Sequence, residues 1–178
     1  GYGAAGERCM AVSVAVPVGE ATADRLMEKL IPRVENLKIG PSTDASADFG
    51  PLVSRAALER VRDYVEIGVR EGATLAVDGR RFRMQGYENG FYMGACLFDN
   101  VTSEMRIYKE EIFGPVLSVV RAKDFDEAVA LPSEHDYGNG VAIFTRDGDA
   151  AREFVSRVRA VMVGVNVPIP VPVAYYTF

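Results

Sequence analysis

The chain opens GYGAAGERCM, and Cys9 places a thiol, a strong nucleophile when ionised, close behind a glycine-rich start. Its surroundings suit a reacting thiol. The small residues before Cys9 let the backbone approach a reacting carbon closely, and backbone N–H groups there can stabilise a developing oxyanion. Arg8 favours the thiolate and Glu7 opposes it. An unperturbed thiol, with a pKa near 8.5, is only about a few per cent ionised at neutral pH. The alternative is that Cys9 is a small buried hydrophobe, and the local residues leave both open. Residues 1–6 also spell G-x-G-x-x-G. A dinucleotide loop of that form needs a strand before it and a helix after it. Here nothing precedes Gly1, a strand-like run follows from Val12, and the suitably spaced acid, Glu20, sits in a turn. The spacing reads as coincidence.

The other reactive types are sparse. Glu110 and Glu111 stand side by side in YKEEIFGP, which by itself reads as a solvated helix or turn face. Asn166, just after a strand, either contacts substrate or satisfies backbone. His135 is the only histidine and lies in the polar run SEHDYGNG, leaving little for a metal cluster or a Ser-His-Asp triad, so no metal is expected. Cys96, in FYMGACLF, reads as core. Tyr175, Tyr176 and Phe178 border a pocket or pack as an apolar tail.

Composition narrows the class. The 178 residues carry a net charge of −5 with acids and bases interspersed, and no basic stripe suggests nucleic acid. No apolar run reaches the length of a membrane span, and no leader pattern opens the chain. Two cysteines without C-x-x-C make neither a disulfide framework nor a zinc site, and an intracellular, cytoplasmic setting is the simplest expectation.

The elements that must position these residues alternate. Strands are expected over 12–18, 74–77, 91–98, 116–121, 141–144 and 161–165, with a turn region over 79–90. Helices are expected over 23–37 (capped by Thr22), from Ser54 to about Arg70, over 125–131 (opened by Asp124) and over 149–159. The pattern predicts an α/β fold: an open, mostly parallel twisted sheet flanked by helices. Pro168, Pro170 and Pro172 force an extended tail.

The motifs resemble the aldehyde dehydrogenase superfamily. That family carries G-Q-x-C with a nucleophilic cysteine, here Gly6-Glu7-Arg8-Cys9, and E-E-I-F-G-P-V, present in full over 110–116. FGPLVS over 49–54 and YGNGVAIFTRD over 137–147 also match in order and spacing. AAGERCMA and VGVNVPIPVP look like the methylmalonate-semialdehyde dehydrogenase branch, which acylates coenzyme A and usually has Gln where Glu7 stands; the change is expected to raise the thiol pKa.

The resemblance implies a Rossmann-like catalytic domain over 1–178, with the NAD-binding half and the C-terminal oligomerisation arm absent. It implies that Cys9 attacks a semialdehyde, that a hydride passes to NAD, and that coenzyme A accepts the acyl group with loss of CO2, giving propionyl-CoA or acetyl-CoA. In that scheme Arg8 grips the substrate carboxylate, Glu111 holds the nicotinamide ribose and Phe113 borders the nicotinamide, with Asn166 a further substrate contact. A homotetramer or homodimer is expected of the full-length protein, and the isolated chain is expected to be inactive. The other readings are a non-acylating aldehyde dehydrogenase, or a non-catalytic assembly domain.

Overall fold

Two short apolar runs, Cys96–Asp99 and Val116–Val119, are buried at every position, as central strands covered on both faces must be. A computed structural model describes residues 1–168. The extended tail expected through Pro170 and Pro172 and the contacts expected of Tyr175, Tyr176 and Phe178 lie outside the described residues. The chain forms two compact units, Gly1–Ala122 and Lys123–Phe178.

In the first unit, β1 (Val14–Ala15), β2 (Thr74–Val77), β3 (Cys96–Asp99) and β4 (Val116–Val119) form one sheet in the order β1-β4-β3-β2. The β1–β4 and β4–β3 pairs are parallel, and β2 is antiparallel to β3. Helices α1 (Glu20–Glu35) and α2 (Arg55–Arg70) carry the flanking layer. The α2 signals lie within the helix itself. Ser54 caps it by accepting the Ala57 N–H at 3.1 Å. Leu58, Val61 and Val65 recur at helical spacing and are buried, each stabilising the fold by about 1.5–3 kcal/mol.

Several boundaries differ from the periodicity, and the strand expected over 12–18 pairs only over Val14–Ala15. Helix α1 starts at Glu20 rather than after Thr22, because the Gly19 carbonyl already accepts the Thr22 and Ala23 N–H groups. The expected strand over 91–98 pairs only from Cys96. Before it, Gly94 lies backbone to backbone on Gly79, donating to its carbonyl at 2.9 Å, so these residues are buried without joining the ladder. A four-residue helix, α3 (Arg106–Lys109), also precedes the EEIFGP run.

Beyond β4, Arg121 joins strand and helix. Its guanidinium grips both Asp99 oxygens at 3.0 and 2.7 Å and reaches Glu20 at 2.6 Å and Asp24 at 2.8 Å. Burial pushes the Asp99 carboxyl up, but Arg121 and the Asn100 N–H more than reverse this and hold its pKa below the usual value.

The second unit holds α4 (Phe125–Glu134), β5 (Gly140–Ile143), α5 (Gly148–Arg157) and β6 (Met162–Val165), with β5 and β6 parallel. Asp124 caps α4 by accepting the Glu127 N–H at 2.9 Å, and Asp147 caps α5. Parallel pairing with a helix between the strands is the expected α/β arrangement.

Candidate active site

The opening glycines form a tight 3-10 turn, Gly3–Gly6, in which Ala4 (φ 53), Ala5 (φ 55) and Gly6 (φ 71) all lie in the left-handed region. Left-handed backbone costs alanine about 1–2 kcal/mol per residue. The turn is held by the burial of Ala5 and by the Glu7 N–H, which donates to the Ala4 carbonyl at 3.0 Å. Strand β1, not a helix, is the next regular element, so G-x-G-x-x-G here is not a dinucleotide turn.

Past this turn the chain surfaces. Cys9 is exposed and unbridged, so the reading of it as a small buried hydrophobe does not describe it. Arg8 is exposed, and no ion pair among the described residues engages its guanidinium. Glu7 turns away from solvent. Its Oε2 accepts the Val53 N–H at 2.8 Å, and its Oε1 is buried without a hydrogen-bond partner among the described residues. The carboxylate that opposes the thiolate in sequence thus ties the cysteine loop to the residue before the α2 cap.

The cysteine loop meets the EEIFGP segment at Gly6 and Gly114. A Cβ placed on Gly6 would lie 1.9 Å from the Gly114 carbonyl oxygen, so only glycine permits the approach. Gly114 in turn rests on Val61 of α2, where a Cβ would come within 2.4 Å of a methyl group. Three sequence motifs, around Cys9, Val53 and Gly114, therefore converge on the N-terminal half of α2.

The two adjacent acids separate. Glu110 is half-buried and accepts the Tyr64 O–H at 2.6 Å and the Arg106 guanidinium at 2.8 and 3.0 Å. Arg106 and Tyr64 together hold its carboxyl down at about 2. Glu111 is exposed, and no hydrogen bond or ion pair among the described residues uses its carboxylate. Phe113 is 37 % exposed and takes a left-handed φ of 54°. The reading of both acids as a solvated face therefore holds for Glu111 and not for Glu110. The Arg106–Glu110 pair, four residues apart, was a readable signal; Tyr64 as their partner was not.

Asn166 belongs to the second unit. Its Oδ1 accepts the Thr145 N–H and its Nδ2 donates to the Thr145 carbonyl, both at 3.0 Å, so both ends of the amide satisfy backbone. His135 accepts the Tyr137 N–H at 3.0 Å in an exposed turn. Cys96 is fully buried in β3, and burial pushes its thiol up to about 11. A thiol reagent at pH 8 is expected to modify Cys9 within minutes and Cys96 only after denaturation. Equal rates for the two, read by peptide mass spectrometry, would contradict this placement.

A profile described as the aldehyde dehydrogenase family matches residues 1–178. The chain belongs to the aldehyde dehydrogenase family. Its relatives are specific. A malonate-semialdehyde dehydrogenase of Pseudomonas aeruginosa is 58 % identical over 99 % of this chain and 36 % of its own length. A Drosophila melanogaster protein assigned as a mitochondrial, acylating methylmalonate-semialdehyde/malonate-semialdehyde dehydrogenase is 46 % identical over 99 % of the chain and 34 % of its own length. A crystal structure described as a Sinorhizobium meliloti methylmalonate-semialdehyde dehydrogenase complexed with NAD superposes with a TM-score of 0.98 at 65 % identity, covering all of this chain and 36 % of that one. This aldehyde dehydrogenase chain thus spans about a third of the length of the relatives it matches, and its mixed, mostly parallel sheet is the family's fold.

Proposed function

We propose that this chain is the cysteine-bearing catalytic part of an NAD- and coenzyme-A-dependent methylmalonate- or malonate-semialdehyde dehydrogenase. The observation that carries the reading is the Gly6–Gly114 approach, which locks the segment bearing exposed Cys9 to the segment bearing exposed Glu111 and Phe113. The names of the relatives supply the substrate class.

The residues present fit a nicotinamide cofactor. Glu111 is an uncommitted carboxylate able to accept hydrogen bonds from a ribose diol, and Phe113 offers a ring edge or face to a planar group. NAD, when bound, supplies the hydride acceptor. The chain's own residues do the rest. The Cys9 thiolate forms a C–S bond to the aldehyde carbon while the carbonyl electron pair moves to oxygen, beside the Cys9 N–H. Arg8 holds the substrate carboxylate, for which a guanidinium offers two parallel donors. The acyl group left as a thioester on Cys9 loses its carboxylate as CO2, the electron pair of the broken C–C bond passing into the thioester carbonyl and returning as the α-carbon takes a proton; the thiolate of coenzyme A then attacks the thioester carbon and expels the Cys9 thiolate. The products are propionyl-CoA or acetyl-CoA.

The NAD-binding half and the oligomerisation arm belong, in this reading, to the rest of the native-length protein. That protein works as a homodimer or homotetramer in the cytoplasm, or in the mitochondrial matrix of a eukaryote.

The test is NADH formation by the native-length protein with methylmalonate semialdehyde, with and without coenzyme A, beside propanal. Turnover is expected to depend on coenzyme A. Arg8→Ala is expected to raise the KM of the carboxylated aldehyde about 10- to 100-fold, the worth of a hydrogen bond to a charged group, and to leave propanal unaffected. Equal turnover without coenzyme A would mean a hydrolytic aldehyde dehydrogenase.

A further inference from the structure

Residues 110–115 are pinned at both ends, and both pins stand on α2. At the front, Tyr64 donates to Glu110 Oε2 at 2.6 Å. At the back, Gly114 packs on Val61. Val61 and Tyr64 are three residues apart and share one face of the helix. Between the pins lie Glu111, Ile112 and Phe113, of which Glu111 and Phe113 are exposed.

The front pin is built with care. Arg106 binds Glu110 through two guanidinium nitrogens, at 2.8 and 3.0 Å. The same guanidinium lies 5.9 Å over the Tyr64 ring. Its own backbone N–H donates to Glu71 Oε2 at 2.8 Å, anchoring α3 to the end of α2. Glu110 has extended backbone (φ −106, ψ 144), and in extended chain consecutive side chains point to opposite sides. Drawing Glu110 back onto Tyr64 therefore turns Glu111 outward. Bidentate, charge-assisted bonds fix that geometry more firmly than a single neutral bond would.

We propose that Glu110, clamped by Tyr64 and Arg106, is a positioning residue for NAD, setting the direction and spacing at which Glu111 and Phe113 meet the cofactor. This rests on the cofactor reading of Glu111 given above. Glu110 touches no cofactor itself; it acts through its neighbour. The cofactor affinity of this site is therefore set partly by α2, a helix outside the cofactor motif.

The experiment uses the native-length protein and NAD, with the dissociation constant measured by calorimetry and kcat and KM by NADH absorbance. Tyr64→Phe is expected to weaken NAD about 3- to 10-fold and Glu110→Ala about 10-fold or more, with kcat at saturating NAD changed less than about twofold. Glu110→Gln, which keeps an acceptor oxygen for Tyr64, recovers part of the affinity. In a Glu111→Gln background, Glu110→Ala has no further effect, because the two residues act through one contact. The clamp is overturned if Glu111→Gln weakens NAD while Tyr64→Phe and Glu110→Ala do not, or if Glu110→Ala weakens it equally in both backgrounds. Wild-type NAD binding by Glu111→Gln would instead remove the cofactor reading of Glu111, and this inference with it. Tyr64→Phe deletes a single oxygen and keeps the test decisive if Glu110→Ala does not fold.

Discussion

Cys9→Ala is expected to lower NADH formation by the native-length protein at least about 1,000-fold while leaving NAD binding intact. Removing a covalent nucleophile costs this much because no other group takes over its bond-forming role. Cys9 is exposed at the end of a tight turn, and the second thiol, Cys96, is buried in β3 with its ionisation pushed up to about 11. Cys96 thus offers neither access nor thiolate, and it cannot substitute. Cys9→Ser should recover little, since a hydroxyl is a far weaker nucleophile at neutral pH. A complementary readout is the acyl-enzyme: without coenzyme A, substrate and NAD should leave a mass increment on the peptide containing Cys9. Retention of a tenth or more of the activity by Cys9→Ala would remove Cys9 from the mechanism.

The second large effect is on stability. Gly6→Ala is expected to destabilise the protein by about 3–5 kcal/mol, combining a left-handed backbone with a forced separation of two packed segments. The added Cβ would sit 1.9 Å from the Gly114 carbonyl oxygen, and the obstacle is backbone, which cannot rotate aside. The segments must part, which separates the Cys9 loop from the one bearing Glu111 and Phe113. Activity should therefore fall even below the melting transition, under conditions where the variant remains folded by circular dichroism. Gly114→Ala disturbs a different contact of the same segment, where the obstacle is the Val61 side chain at 2.4 Å. An unchanged melting temperature for Gly6→Ala would show that the close approach is absent in solution.

The sequence by itself determined what depends on near neighbours. The α2 cap at Ser54, the α4 cap at Asp124 and the helical recurrence of Leu58, Val61 and Val65 are local, and each appears where the pattern puts it. The alternation of strands and helices was equally legible, and so was the α/β class, because burial on two faces leaves apolar strands and half-burial leaves amphipathic helices. Family motifs made Cys9, Arg8, Glu111 and Phe113 the candidate residues.

Tertiary structure decided which of the possible partners each residue takes. Glu7 and Val53, like Tyr64 and Glu110, are 46 residues apart, and Gly6 meets Gly114 across most of the first unit. No periodicity encodes such pairs. They exist because the sheet and α2 bring distant loops together along one helix, where a carbonyl, a carboxylate or a missing Cβ becomes decisive. The same holds for Glu110 and Glu111, identical and adjacent in sequence: one finds a tyrosine and an arginine within reach and becomes an anchor, and the other faces outward with no hydrogen bond or ion pair on its carboxylate among the described residues.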